Sequence, residues 1–166
     1  MPSPRHGRSG RATAIRWLAL AVLLAGLDQL TKLAVINLYA VGEQTVVTSW
    51  FNIVRVHNPG AAFSFLADAG GWQRWFFVGL GIAAVIVLGF LMIRHAGQTV
   101  FALAASLIIS GAIGNTIDRL SWGHVIDFID LHAAGWHWPA FNLADSCIVT
   151  GALLLVLDEL RRVRRG

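Results

Sequence analysis

Acidic side chains within apolar sequence are the features of this 166-residue chain best suited to chemistry. Asp145 is the only charged residue between Trp138 and Leu157, and Asp118 and Asp127 lie shortly before it. If this part of the chain forms a hairpin, Asp127 can approach Asp145. Two neighbouring carboxylates do not both ionise easily, so one tends to keep a proton. Such a pair can activate water and polarise a carbonyl group, as in aspartic proteases, without a cofactor.

Other kinds of catalytic site find little support in the sequence. Cys147, the only cysteine, lies in an apolar segment without a nearby histidine, so we interpret it as a packing residue. A single cysteine also excludes an internal disulfide and a zinc site built from several thiolates. Ser110 lacks the surroundings of an intramembrane serine protease, and neither a His-Glu-x-x-His motif nor a nucleotide-binding glycine loop occurs. We therefore expect no metal and no cofactor.

Four apolar segments must position these carboxylates. They cover residues of about 17–39, 75–93, 98–118 and 139–158, in a chain that is 56% hydrophobic and only 13% charged. Each approaches the roughly 20 residues that a helix needs to cross a bilayer. The second segment has no polar face, which argues against a soluble helical protein. We predict an all-α membrane protein, a single integral domain over residues 1–166, with four transmembrane helices.

The basic residues predict how these helices are oriented. Eight of the 13 lie in the first sixteen or the last six residues, and this pattern orients membrane helices rather than binding nucleic acid. Both termini are therefore expected on the cytoplasmic side of the membrane. Segments of about 40–74 and 119–138 then lie outside, where they contain or adjoin six of the seven tryptophans. Tryptophan favours the membrane–water interface.

Short strands and an interfacial helix are expected in the first outer segment. β-Branched and aromatic residues in 45–56 predict short strands, and hence a small extracytoplasmic β region. An interfacial helix is expected to start near Gly71–Trp75 and to lead into the second span. We assign the histidines of both segments to interfacial loops. These are His57, His124, His132 and His137.

Polar residues in three of the predicted spans reach similar depths near the outer face. Asp28 lies about 16 Å from the cytoplasmic edge and Lys32 about 6 Å further along the same helix face. Asn115 lies roughly 25 Å along the third span, and Asp145 about 9 Å below the outer surface. Ionisable groups at such positions are costly and usually functional. Each group taken singly could still have a structural role, such as an Asp28–Lys32 ion pair.

Two alternatives to a protease remain open at this point. A small proton-coupled transporter could use Asp28, Lys32 and Asp145 as a relay. The inner halves of the last three spans are almost wholly apolar, however, which disfavours a path across the membrane. A membrane scaffold without catalytic activity would explain the spans but not the polar groups at matching depths.

Five short motifs in a fixed order give the chain a specific resemblance. They are Asp28-Gln-Leu-Thr-Lys32, Asn58-Pro-Gly-Ala-Ala-Phe63, Gly111-Ala-Ile-Gly-Asn-Thr-Ile-Asp-Arg119, Val125-Ile-Asp-Phe128 and Phe141-Asn-Leu-Ala-Asp-Ser146. Together, over residues of about 17–160, they resemble lipoprotein signal peptidase, the bacterial signal peptidase II family. The resemblance implies an aspartic endopeptidase of the bacterial cytoplasmic membrane with its active site towards the outer face. It also implies substrates, namely prolipoproteins with a diacylglyceryl group on a cysteine, which are cut just before that cysteine.

The resemblance also suggests roles for individual residues. Asp127 and Asp145 match the two catalytic aspartates of the family. Six further residues match positions that shape the site and hold substrate: Asn58, Gly60, Asn115, Asp118, Arg119 and Asn142. Asp28 and Lys32 match a motif with a structural or substrate-positioning role. Contact with membrane lipids and inhibition by the cyclic peptide globomycin are further implications; which aspartate holds the proton at rest is left open.

Overall fold

A computed structural model describes residues 6–60, 66 and 69–164 of the chain, with side chains from residue 12 onward. Four helices and a four-stranded sheet account for most of these residues. The elements, in chain order, are α1 (His6–Leu38), β1 (Gln44–Thr48), β2 (Phe51–Asn58), α2 (Trp72–His95), α3 (Thr99–Trp122), β3 (Val125–Ala133), β4 (Trp136–His137) and α4 (Leu143–Val163).

Three of the helices in the described part of the chain are long and apolar enough to cross a membrane. They are the Ala12–Leu38 part of α1, the whole of α2 and the whole of α3. α4 differs from them because its uncharged stretch between Asp145 and Asp158 comprises only 12 residues. At 1.5 Å per residue this stretch is about 18 Å of a helix about 32 Å long, so acidic residues lie towards both of its ends.

α3 is the central helix and packs against α1, α2 and α4. Its buried surface consists mostly of small residues, which let the neighbouring backbones approach closely. At Gly111, a Cβ atom would meet the carbonyl oxygen of Ala144 in α4. About two turns further along α4, a Cβ atom at Gly151 would meet the carbonyl oxygen of Ala104 in α3. The two glycines therefore let α3 and α4 pack closely.

The sheet is fully antiparallel and has the strand order β1-β2-β3-β4. A tight turn at Ser49 and Trp50 joins the first two strands, as the β-branched sequence predicted. β3 and β4 lie in a segment for which we predicted no strands. Their sequence does not alternate in the usual way because Val125, Ile126 and Asp127 are all buried between the sheet and the ends of the helices.

Two boundaries differ from the sequence prediction. Trp72–Trp75 forms the first turn of α2, so the residues assigned to the start of an interfacial helix belong to the long helix itself. Residues 138–142 are not helical; Phe141 instead pairs with Ile129 of β3. α4 therefore begins at Leu143, four residues later than the predicted span.

Candidate active site

Asp127 is buried because α3 ends immediately before it and the chain reverses into β3. Gly123 closes α3 in a left-handed conformation, with φ of 83°, and its N–H group donates to the carbonyl oxygen of Arg119 at 3.1 Å. Glycine adopts this conformation without a steric penalty. Only four residues further on, Asp127 pairs with Val56 of β2 and is 1% exposed. The turn thus places a carboxylate at the end of the helix bundle that adjoins the sheet.

Asp145 lies in the first turn of α4 rather than deep within a helix. Asn142 caps this helix: its side-chain oxygen accepts the N–H group of Asp145 at 2.9 Å, and the carboxylate of Asp145 accepts the N–H group of Asn142 at 3.2 Å. This reciprocal arrangement is a capping box. The predicted depth of Asp145 assumed a helix that starts at Pro139, whereas the helix starts at Leu143.

Asn142 also connects the two candidate catalytic carboxylates. Its side-chain nitrogen donates to Oδ1 of Asp127 at 2.7 Å, while the capping bonds hold Asp145. Asn142 is completely buried. Because Phe141 pairs with β3, the backbone brings Asn142 alongside Asp127. One side chain therefore fixes both aspartates at the junction of the sheet and α4.

The second oxygen of Asp127 accepts a hydrogen bond from β2. Nδ2 of Asn58 donates to Oδ2 of Asp127 at 3.0 Å, and Oδ1 of Asn58 accepts the N–H group of Gly60 at 3.0 Å. Burial, and then the charge of Asp145, raise the pKa of Asp127 from 3.8 to about 7, although the two asparagine donors act against the shift. Asp127 can therefore hold or release a proton near neutral pH.

Asp145 is linked to a buried group of charged residues on α1 and α3. Nδ2 of Asn115 donates to Oδ1 of Asp145 at 2.8 Å, and Oδ1 of Asn115 accepts a hydrogen bond from Lys32 at 3.0 Å. Lys32 also forms ion pairs of 2.8 Å with Asp28 and with Asp118. Lys32 is 2% exposed and each of the two aspartates 1%. The predicted Asp28–Lys32 contact is confirmed and is part of a larger arrangement, which we call the buried triad.

The two aspartates of the buried triad also bind backbone N–H groups beside the candidate catalytic residues. Asp28 accepts the N–H group of Ala144 at 2.9 Å, and Asp118 accepts that of Ile126 at 3.1 Å. Gln29 adds a bond of 2.9 Å to the other oxygen of Asp118. The sequence analysis missed these three contacts. Gln29 belongs to the motif Asp28-Gln-Leu-Thr-Lys32, so its position at least was visible in the sequence. The two backbone N–H donors carry no signal in the sequence.

Arg119 is the remaining charged residue near the site. Its guanidinium group donates to the carbonyl oxygen of Gly60 at 2.6 Å and to that of Asn115 at 3.3 Å, and it lies 4.8 Å from the centre of the Phe77 ring. Its Nε atom is buried without a partner. The structure thus brings all ten sequence-predicted site residues into one connected network, with Gly60 and Arg119 at its edge. Ala61, Ala62 and Phe63 of the second motif lie outside the described residues.

The histidines form two stacked pairs. The ring centres of His57 and His124 are 3.8 Å apart, and those of His132 and His137 are 4.9 Å apart. His57, His132 and His137 belong to strands, so their assignment to loops was wrong, whereas His124 lies in the bend between α3 and β3 as predicted. Burial lowers the pKa values of His57 and His124, and the neighbouring Arg55 lowers both further. Among the described residues, neither pair forms a hydrogen bond with Asp127 or Asp145; His137 binds Asp130 instead.

Metal-ligand sets and an alternative nucleophile are not evident in the described part of the chain. No group of three or more histidine, cysteine or acidic residues is arranged to hold a metal ion. Cys147 is a free, buried thiol on α4. The polar groups that meet beside the sheet are two carboxylates and the asparagine amides that bind them.

Comparison with known proteins gives a consistent family assignment. The sequence model of the family described as "Signal peptidase (SPase) II" matches residues 20–161. A lipoprotein signal peptidase of Paraburkholderia phytofirmans is 60% identical over 148 residues, which cover 89% of this chain and 86% of the relative. One from Cupriavidus necator is 52% identical over 164 residues, which cover 99% of this chain and 94% of the relative.

Solved structures agree with this assignment. The fold is similar to that of a bacterial membrane enzyme, with a TM-score of 0.82, 32% identity and coverage of 91% of each chain. A second bacterial membrane enzyme gives a TM-score of 0.74 at the same identity. The transporter alternative finds no support in these relationships. The chain belongs to the signal peptidase II family.

Proposed function

We propose that this protein is an aspartic endopeptidase that removes the signal peptide from prolipoproteins carrying a diacylglyceryl group, just before the lipidated cysteine. Family membership makes it a signal peptidase, and its relatives are named lipoprotein signal peptidases. The observation that carries the aspartic mechanism is the placement of Asp127 and Asp145 around Asn142. Both carboxylates are held by donors and neither forms a direct ion pair with a basic side chain in the described residues.

The geometry favours different roles for the two aspartates. Asp127, with a pKa of about 7, is suited to carry the proton at rest. Asp145 then takes a proton from a water molecule, whose oxygen attacks the scissile carbonyl carbon. Asp127 donates its proton to the carbonyl oxygen. When the tetrahedral intermediate collapses, the C–N bond breaks and the leaving amine takes the proton from Asp145, while Asp127 recovers its own.

A membrane arrangement with four spans completes the proposal. We propose that α4 is the fourth span, that the whole chain is one integral domain, and that both termini face the cytoplasm. The arginine-rich ends and the tryptophans of the outer segments support this orientation. The active site then lies near the outer leaflet, where a lipidated cysteine next to an apolar signal peptide would place its scissile bond. Membrane lipids and the inhibitor globomycin are proposed as further ligands.

Cleavage of a lipidated prolipoprotein by purified protein tests the proposal. The detergent-purified chain is incubated with a diacylglyceryl-modified prolipoprotein, with and without globomycin, and the products are identified by mass spectrometry. We expect cleavage just before the modified cysteine, its inhibition by globomycin, and a loss of at least about 1,000-fold in Asp127→Asn and in Asp145→Asn. Asp158→Asn, near the other end of α4, is the matched control and should cleave normally. Full activity of purified Asp145→Asn would refute the aspartic mechanism.

A further inference from the structure

The burial of three charged side chains in the triad of Asp28, Lys32 and Asp118 needs an explanation. Replacing a buried ion pair with apolar side chains of similar volume is often neutral or stabilising, so stability alone is a weak explanation. In the described part of the chain, the triad forms no hydrogen bond or ion pair with the carboxylate of Asp127 or Asp145. Every polar atom it presents, however, is used in a bond to another part of the site or within the triad.

Lys32 determines which end of the Asn115 amide faces Asp145. An ammonium group can only donate hydrogen bonds, and its three N–H groups match three acceptors: Asp28, Asp118 and the amide oxygen of Asn115. With its oxygen turned towards Lys32, Asn115 must present its NH₂ group to Asp145, at 2.8 Å. If the amide rotated, its oxygen would face a carboxylate oxygen and Lys32 would lose an acceptor.

The two aspartates of the triad act on the backbone in matching positions. Asp28 binds the N–H group of Ala144, the residue before Asp145. Asp118 binds the N–H group of Ile126, the residue before Asp127. Each candidate catalytic residue therefore follows a peptide group that is fixed to the same buried cation through a carboxylate. An error of about 1 Å in such a site can cost on the order of 100-fold in rate.

We propose that Lys32 is a positioning residue for the reaction: through Asn115 and the carboxylates of Asp28 and Asp118, it fixes the geometry of Asp127 and Asp145 without touching the substrate. The inference rests on the proposed function. In this role the buried triad supports the chemical step and does not take part in substrate binding. Loss of Lys32 should therefore lower kcat and leave KM nearly unchanged.

Steady-state kinetics of Lys32→Met and Asn115→Leu provide the test. We expect each variant to lose about 100-fold in kcat, with KM within about threefold of the original value. Because both changes break the same connection, the double variant should also lose about 100-fold rather than the product of the two losses. Ser110→Ala is the matched control. Ser110 is 1% exposed on α3, and its hydroxyl group donates to the carbonyl oxygen of Leu107, outside the network of the ten site residues, so the kcat of this variant should be unchanged.

A second variant guards against simple misfolding. Lys32→Met leaves two buried carboxylates without their cation, whereas Lys32→Met/Asp118→Asn keeps the net charge of the triad at −1. The asparagine oxygen can still accept the N–H group of Ile126, and thermal unfolding in detergent establishes that the variant is folded. The same loss in kcat supports the proposal. A raised KM with normal kcat, a normal kcat in this double variant, or multiplying losses in the Lys32/Asn115 pair overturns it.

The outcomes distinguish this inference from the proposed function. If the unaltered protein does not cleave the prolipoprotein, or if Asp145→Asn remains active, the proposed function fails. If the unaltered protein cleaves and Asp145→Asn does not, while both Lys32 variants keep a normal kcat, the positioning role alone fails.

Discussion

Replacement of Asp127 by asparagine is expected to change how the stability of the protein depends on pH. The folded protein has a pKa of about 7 at this residue, whereas the unfolded chain has the ordinary value of 3.8. Between these values the folded state binds a proton that the unfolded state has released, so the free energy of unfolding falls as the pH rises. This contribution to stability is fully present below 3.8 and is lost above about 7.

The size of the effect follows from the shift in pKa. A shift from 3.8 to about 7, at about 1.4 kcal/mol per unit, corresponds to about 4 kcal/mol. An amide does not titrate, so the stability of Asp127→Asn relative to the unaltered protein should rise by that amount between pH 4 and pH 8. For a chain of this length it corresponds to a difference of about 10 °C in Tm.

The cost of the substitution itself does not obscure this change. Asn58 and Asn142 donate to different oxygens of Asp127, and an asparagine can accept only one of these bonds. The lost bond costs about 1–3 kcal/mol, but the cost is the same at every pH. The change with pH therefore isolates the titration of Asp127.

Thermal unfolding in detergent across this pH range is the assay, and Asp130→Asn is the control on the same strand. Although burial alone would raise it, the pKa of Asp130 is lowered by hydrogen bonds from His137 and Asn52. Its contribution is present above the unfolded pKa of 3.8 and is lost only as the pH falls below it, so the Tm difference of this variant should stay nearly constant between pH 4 and pH 8. A constant Tm difference between Asp127→Asn and the unaltered protein, or a Tm of Asp127→Asn that falls relative to that of the unaltered protein as the pH rises, would refute the reasoning.

Three further substitutions test the framework around the site. Gly111→Ala should destabilise the protein by at least about 2 kcal/mol and lower kcat, because the Cβ atom of the alanine would push against the backbone of α4 next to Asp145. Gly79→Ala is the control and should be neutral or slightly stabilising, because Gly79 has open space around it. Asn142→Ala should cost about 1–2 kcal/mol in unfolding experiments through the lost helix cap and should reduce cleavage far more strongly than that loss explains. Glu159→Ala removes an exposed ion pair with Arg162 and should change stability by less than about 1 kcal/mol; a larger loss would contradict the assignment of this contact to a solvent-accessible surface.

The helices were predictable because long apolar runs dominate the composition. Their ends were less predictable, since the polarity of a sequence does not show where a backbone stops hydrogen bonding to itself. The region before α4 illustrates this: Phe141 is as apolar as its neighbours in the helix, yet its backbone pairs with Ile129. β3 was missed for a related reason, because burial on both sides removes the alternation by which strands are recognised.

The residue types of the site were visible in the sequence, but the connections between them were not. Asp28 and Lys32 could be paired from their spacing, since residues four apart share a helix face. The partnership of Lys32 with Asp118 depends on how α1 packs against α3, which no local pattern specifies. The hydrogen bonds to the backbone N–H groups of Ala144 and Ile126 are harder still to predict, because every residue except proline carries the same N–H donor.

The asparagines explain how two carboxylates can remain close in a buried site without a metal ion. Each of the three has its amide orientation fixed by a partner that faces only its oxygen: Lys32 for Asn115, the N–H group of Gly60 for Asn58, and the N–H group of Asp145 for Asn142. In each case the NH₂ group is left for an aspartate. Asp127 and Asp145 are therefore held by neutral amide donors whose orientation is fixed. Neutral donors leave one proton to be shared by Asp127 and Asp145, whereas a cation bound directly to both carboxylates would favour the loss of that proton.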